Sequence, residues 1–248
     1  MIKMIAAACR KPGMTHKEYI AYIQNVHGKL TTDNPVTLRR YVQNHVFDSA
    51  FGSAAETTHV MPVSRDSVVE LVWDSPEDMK TTFSHDYVKT KVGPDGKNFA
   101  DQKATLSMVA EEVELPVASP ASGCDAKVIH FLKAADGIDL QTYFSRWVKA
   151  HEIAISTLPD TAGPRRYVQN RNLPAFNPIL AYFGGEDMVI YEGAAALWYD
   201  SAEAAEAFRD YETVLMRVNA DPATAFYDPS RSFFVYAREV PIYERHPA

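Results

Sequence analysis

An α+β fold built as two copies of one βαββαβ unit is predicted from three observations. A six-residue string occurs twice: Arg39-Arg40-Tyr41-Val42-Gln43-Asn44 returns as Arg165-Arg166-Tyr167-Val168-Gln169-Asn170. Each copy has a Tyr and a His upstream at matched spacing, and an Asp-Ser-x-Glu downstream. Strand-like and helix-like patterns then follow in the same order on both sides of a Pro/Ala/Ser/Gly-rich stretch, which is how a tandem repeat reads.

In the first unit, Lys3 to Arg10 is short and apolar and ends at Lys-Pro-Gly, a buried strand followed by a turn. Thr15 with Glu18 makes a capping box for a helix whose Tyr19, Tyr22, Ile23, Val26 and Leu30 share one apolar face. Asn34-Pro35 breaks it. Leu38 to Phe47 alternates as a second strand, and a long loop runs from Asp48 to about Ser64. Loops of that length often serve as lids or ligand loops. Val68 to Trp73 is the third strand. Ser75-Pro76 opens a second helix to about Lys91, Gly93-Pro94-Asp95-Gly96 is a turn, and Ala104 to Val113 is the fourth strand.

Leu115 to Asp125 reads as a linker, and the order restarts. Lys127 to Lys133 is a strand, Asp139 caps a helix, and Pro164 to Asn170 is the second strand. A second long loop carries Pro174, Pro178 and Gly184-Gly185. Met188 to Tyr199 is a long strand, a helix runs from Asp200 to about Val218, and Ser232 to Ala237 is the last strand. Residues 1–115 and 127–248 thus form two units joined by residues 116–126. A βαββαβ order is the ferredoxin-like arrangement, an antiparallel sheet with both helices on one face. The bare faces of two such sheets cover each other, so the expectation is two sheets packed face to face into an intramolecular α+β barrel with helices outside.

Composition narrows the function. The net charge of -7 is spread along the chain, which argues against nucleic acid or an anionic membrane as partner. Cys9 and Cys124 have no CxxC or His neighbour, so neither a thiolate metal site nor a disulfide is argued. No GxGxxG, P-loop, HxH or HExxH motif is present, so no cofactor or metal is expected, and nothing marks a haem ligand. No apolar stretch reaches membrane-span length and no signal-peptide pattern opens the chain, so a cytoplasmic protein is expected.

At this point the residues resemble a known family. Arg10-Lys11-Pro12-Gly13-Met14-Thr15, Glu18-Tyr19, Val26-His27-Gly28-Lys29-Leu30, Arg40-Tyr41, Val69 through Ser75 and Phe99-Ala100-Asp101 resemble the EthD-like proteins of the dimeric α+β barrel superfamily. The second unit keeps Tyr143, His151, Arg166-Tyr167, Leu197 through Ser201 and Phe226-Tyr227-Asp228. It loses the Lys-Pro-Gly turn and has Glu152 in place of the Gly after the His. The resemblance implies the barrel, a small aromatic or polyketide-like substrate, and a homodimer of the pseudo-dimeric chain. It leaves the reaction open among lyases, cyclases, isomerases, monooxygenases and binding proteins.

His27, on the apolar side of the first helix, is the leading acid or base, with Tyr41 and His85 as catalytic partners. His151 matches His27 in the second unit, which also admits a shared structural role. Alternation puts Arg39, Tyr41, Gln43 and His45 on one strand face, and Arg40, Val42, Asn44 and Val46 on the other. Arg40 holds a substrate carboxylate or pairs with a helix glutamate. His45, His59, Tyr22, Trp73, His151 and Tyr167 complete the expected binding set. Histidines crowd the first unit, so the main site is placed there. Ala6-Ala7-Ala8 and Gly193-Ala194-Ala195-Ala196 leave room for a ligand unless Trp147, Trp198 or Phe144 fills it. A cofactor-free acid–base lyase, cyclase or isomerase is the first functional expectation. A cofactor-free monooxygenase of phenols and a non-catalytic binding protein are the alternatives.

Overall fold

The structure is a computed structural model that describes residues 1–50, 65–180 and 188–245. The first half supplies β1 (Ile2–Ala8), β2 (Arg40–Ala50), β3 (Ser67–Trp73) and β4 (Leu106–Leu115). The second half supplies β5 (Ala126–Leu132), β6 (Arg166–Asn172), β7 (Gly193–Tyr199) and β8 (Phe233–Glu244). These strands close into one antiparallel barrel in the order β1-β3-β2-β8-β5-β7-β6-β4.

The two sheets therefore do more than face each other, as expected from sequence: they join edge to edge. β2 pairs with β8, and β4 pairs with β6. That closure explains why β8 runs on to Glu244 instead of stopping at Ala237. Its outer half, Val240 to Glu244, pairs with Gln43 to Arg40 of the other half. Closure leaves no open sheet edge to template aggregation.

Alternate side chains point into the barrel. One end of the interior is apolar, with Ile5, Val68, Met108, Ile129, Phe131 and Val235 in contact. The other end is ionic. Lys3 and Lys127, each 1% exposed, close with their side chains on the carboxylate of Glu70. Lys3 reaches it at 2.5 Å and also pairs with Glu112. Lys127 also meets Glu239 at 2.8 Å, and the Asn44 amide donates to Glu70 at 2.9 Å. Burial alone would raise the Glu70 carboxyl, but the two ammonium groups hold it well below the usual carboxylate range.

Arg40 and Arg166 sit above this network and line a mouth cavity of about 400 Å³. The expected partners on helices are corrected. Arg40 faces Glu112 at 3.5 Å, and Glu114 grips Arg166 with two bonds of 3.1 and 2.8 Å; both glutamates lie on β4. Alternation forces this, because the face that carries Arg40 is the barrel interior.

Helices cover the outside. α1 (His16–Tyr22) passes through one π-helical turn, Ile23–His27, into α2 (Gly28–Asp33). The Thr15–Glu18 capping box forms. α3 (Pro76–Ser84) breaks at His85, and a second π turn, Val88–Val92, leads into α4 (Gly93–Phe99). The expected turn at Gly93 to Gly96 is thus the start of a helix, since a first-turn Pro costs a helix no hydrogen bond. The second half adds α5 (Leu140–Thr157), α6 (Asn177–Leu180), α7 (Ala202–Ala205) and α8 (Phe208–Asn219).

The helix-facing sides of the halves differ. In the second half Tyr143, Trp147, Tyr167, Phe208, Tyr211 and Phe226 are all fully buried in one cluster. A Cβ on Gly193 would sit 2.4 Å from the Trp147 ring, so Trp147 fills the room left by the small residues of β7. β7 is also shorter than expected. Met188 and Ile190 pack instead on the first half, where with Leu173, Phe176 and Leu180 they cover Met4, Trp73, Met79 and Val109. The Leu173 N–H donates to the Val109 carbonyl at 2.8 Å.

Glu70→Gln removes the one carboxylate shared by two buried ammonium groups. It should cost about 3–5 kcal/mol of unfolding free energy. Urea denaturation measures this, and a loss below about 1 kcal/mol, the value of an exposed pair, would contradict the assigned role.

Candidate functional site

Two groups of polar side chains stand on the helix side of the first half. The first is a strip along β2. Tyr41, Gln43 and His45 share the face turned toward α1, as alternation predicts. The Gln43 Nε2 donates to the Ile23 carbonyl and to the Tyr41 hydroxyl, both at 2.7 Å. The Gln43 Oε1 lies 3.0 Å from the His45 Nε2. Burial pushes Tyr41 up to about 12, so its hydroxyl stays protonated at neutral pH. Burial, and then the nearby His16, push His45 down.

The π turn makes the first of these bonds possible. The Gly28 N–H bonds back to the Ile23 carbonyl across five residues, and the same carbonyl accepts from Gln43. A Cβ on Gly28 would stand 3.2 Å from Ile242 and 3.5 Å from Gln43, so glycine lets the helix approach the sheet here. Such turns recur at functional sites.

The second group lies between the helices. The wider turn carries His27 off the sheet-facing stripe and toward α4. Its Nδ1 is 2.9 Å from Asp95 Oδ2. The other Asp95 oxygen accepts from Tyr22 at 2.7 Å and from Asn98 at 2.8 Å. The His27 ring packs on Phe99 with centroids 4.6 Å apart. Burial lowers the His27 pKa and Asp95 opposes it, with the net shift downward. Among the described residues the Nε2 atom of His27 makes no hydrogen bond. A carboxylate-oriented, neutral imidazole with an open Nε2 is equipped to take a proton.

At the start of β3, Asp66 accepts from the Arg10 backbone N–H at 2.8 Å, from the Arg10 guanidinium at 2.5 Å, and from His16 at 2.8 Å. Tyr19, fully buried, bonds Ser67 at 2.8 Å. These contacts anchor the α1 entry beside the His45 end of the strip.

The remaining expected residues fall elsewhere. His85 is exposed at the end of α3, where its Nδ1 accepts from the Tyr87 N–H at 3.2 Å. Trp73 is buried core, with its indole donating to Thr82 at 2.9 Å. Arg40 points into the barrel mouth, on the strand face opposite Tyr41. His59 lies outside the described residues. Sequence reasoning missed Asp95, hidden in a Gly/Pro string that reads as a turn, and Gln43, which sits within the repeated string. The signal for Gln43 was its place between Tyr41 and His45 on one strand face.

In the second half the matched residues are locked together. His151 donates from Nε2 to the Pro116 carbonyl at 2.8 Å and accepts at Nδ1 from Tyr211 at 2.9 Å. Its ring stacks on Tyr167 at 3.8 Å. In the neutral form both nitrogens are satisfied. Burial accordingly pushes the pKa from 6.5 down to about 4. Because the unfolded chain binds this proton more tightly, His151 costs the fold nothing above its unfolded pKa and costs stability as pH falls toward the folded value. The penalty from this one group is on the order of 3 kcal/mol. His151→Gln, which keeps a donor and an acceptor, should flatten the stability decline between pH 6.5 and 4 in chemical denaturation. An unchanged slope would contradict the assignment.

Among the described residues no group of three or more His, Cys, Asp or Glu converges as a metal site does, and no helix is long and apolar enough to cross a membrane. Dehydratase ustZ of Ustilaginoidea virens is 27% identical over 113 residues, covering 40% of this chain and 75% of that protein. The crystal structure of an anthrone oxidase-like protein aligns over 100% of this chain and 95% of its own, with a TM-score of 0.59 at 13% identity. A chlorite dismutase variant from Candidatus Nitrospira defluvii aligns over 97% and 92%, with a TM-score of 0.51 at 8% identity. At such identities these structures share the α+β barrel fold alone. The sequence model of the EthD domain matches residues 11–103 and again residues 135–230. With both halves matched, the chain belongs to the EthD domain family.

Proposed function

We propose that the protein is a cofactor-free acid–base lyase that eliminates water from a phenolic or polyketide-like small molecule, with its site in the first half. The observation that carries this reading is the His27–Asp95 pair, in which Asp95 holds Nδ1 and Nε2 stays open. The likeness to a protein named dehydratase supports elimination over the other acid–base reactions. Each half is read as a ferredoxin-like unit, with β4-β1-β3-β2 and β8-β5-β7-β6 as its strand order.

In this scheme His27 Nε2 takes the proton from the carbon beside a carbonyl. The Tyr41 O–H bonds the oxygen on which negative charge collects, the usual role of a placed donor in such steps. The C–O bond to the neighbouring hydroxyl then breaks. The proton held on His27 joins the departing oxygen, so water leaves and no oxidant or reductant is consumed. Asp95 stabilises the imidazolium between the two transfers. His85 and Arg40 take no part in this scheme, because one is exposed on the outside of α3 and the other faces the barrel.

The test is turnover of β-hydroxy aryl ketones, followed by mass loss of one water. His27→Ala should lower kcat/KM by roughly 10²–10⁴-fold, the range for loss of a general base. Asp95→Asn removes the group that raises the His27 pKa, so the acidic limb of the pH–rate profile should move to lower pH. Activity should persist without oxygen. Equal turnover by wild type and His27→Ala would remove the base, and strict oxygen dependence would replace elimination with oxygenation.

A further inference from the structure

The polar strip on β2 contains more information than the scheme above uses. Three hydrogen-bonding roles there are forced in sequence. The Ile23 carbonyl can only accept, so the Gln43 nitrogen must face it. That same nitrogen donates to the Tyr41 oxygen. The Gln43 oxygen must then face His45, and it can only accept, so His45 carries its proton on Nε2. Two valences are left. Tyr41 has an O–H that meets no acceptor among the described residues, although the residue is only 2% exposed. Neutral His45 has an Nδ1 lone pair with no donor there.

We propose that Gln43 is a positioning residue that makes this strip a two-point recognition site for hydroxy-carbonyl compounds. The Tyr41 O–H donates to the carbonyl or enolate oxygen, and His45 Nδ1 accepts from the hydroxyl. This rests on the acid–base reading and names the substrate class for that same site.

The second half supplies an internal comparison. Gln169 occupies the place of Gln43, and its oxygen again accepts, here from Arg171 Nε at 3.1 Å and Nη2 at 2.8 Å. Arg171 stands where His45 stands in the first half. A guanidinium satisfies the amide oxygen but offers no lone pair to a ligand. Tyr167, the counterpart of Tyr41, is covered by the stacked His151 ring. The residues of the strip recur in the second half, but Gln169 Nε2 and the Tyr167 hydroxyl find no partner among the described residues there, and the acceptor lone pair that His45 offers has no counterpart at Arg171.

The experiment needs no turnover. Long-range ¹H–¹⁵N correlation on the full chain reads the tautomer of each histidine, and 4′-hydroxyacetophenone, whose hydroxyl cannot reach its own carbonyl, against acetophenone reads recognition by titration. Wild type should show His45 as the Nε2–H tautomer and should bind the hydroxylated probe about tenfold more tightly, the factor for roughly one hydrogen bond. Gln43→Leu should lose both the tautomer preference and the discrimination. Gln43→Glu, close to isosteric, still accepts from His45 and should keep the tautomer. It captures the Tyr41 proton, so affinity for both ketones should fall. An Nδ1–H tautomer in wild type would overturn the proposal on its own, whatever the variants do. So would equal binding of the two ketones. If His27→Ala leaves turnover intact while these results hold, the lyase scheme fails and the recognition site stands.

Discussion

The arrangement depends on one buried carboxylate held between two buried ammonium groups. Lys3 of β1 and Lys127 of β5 occupy matched places in the two halves, and so do Glu112 and Glu239, which lie opposite Asn170 and Asn44. Glu70 breaks the pattern. Its counterpart in the second half is Ala196, as the pairing with Val42 in one half and Val168 in the other shows. One negative charge therefore sits where the two halves converge, and both lysines turn to it. Replacing one partner of a buried pair strands the others without water, which makes the network a strict condition on register. A strand slip by one residue would send Lys3 or Glu70 to the helix side.

With the interior filled by apolar side chains at one end and ions at the other, ligand chemistry is pushed to the outer faces of the sheet. There duplication has been resolved in opposite ways. The second half packs Trp147 against Gly193 and seals His151 against Tyr167, Tyr211 and the Pro116 carbonyl. The first half keeps imidazole nitrogens without a partner among the described residues, Nε2 of His27 and Nδ1 of His45. It also borrows cover from the second half, whose Leu173 to Ile190 region packs on β1, β3 and β4 through the residues described. The halves are thus unequal partners: one supplies rigidity and part of the roof, and the other holds the groups suited to proton transfer.

Much of the fold was legible in the sequence because the repeat reported it twice. The face assignments within Arg39 to Val46 also survived, since strand alternation is a strong geometric rule. Other features were not legible. Pairing of β2 with β8 is long-range, and no local pattern announces it. The Gly93-Pro94-Asp95-Gly96 string has turn composition, yet a preceding π turn delivers it in helical geometry, with Tyr22, His27 and Asn98 holding Asp95. The π turn at Ile23 likewise leaves no composition mark, and it decides which way His27 points. The Glu112 partner of Arg40 lies on β4 and not on a helix, a contact across the barrel interior that no local pattern announces.

The central claim is that the helix side of the first half is the ligand site and that of the second half is closed. A crystal structure of the protein soaked with a hydroxylated aryl ketone tests it most directly. Density for the ketone between the first-half helices and the sheet, with an oxygen within hydrogen-bonding distance of Tyr41, is the predicted result. Density between α5, α8 and the second-half sheet, or in the barrel mouth alone, would contradict it.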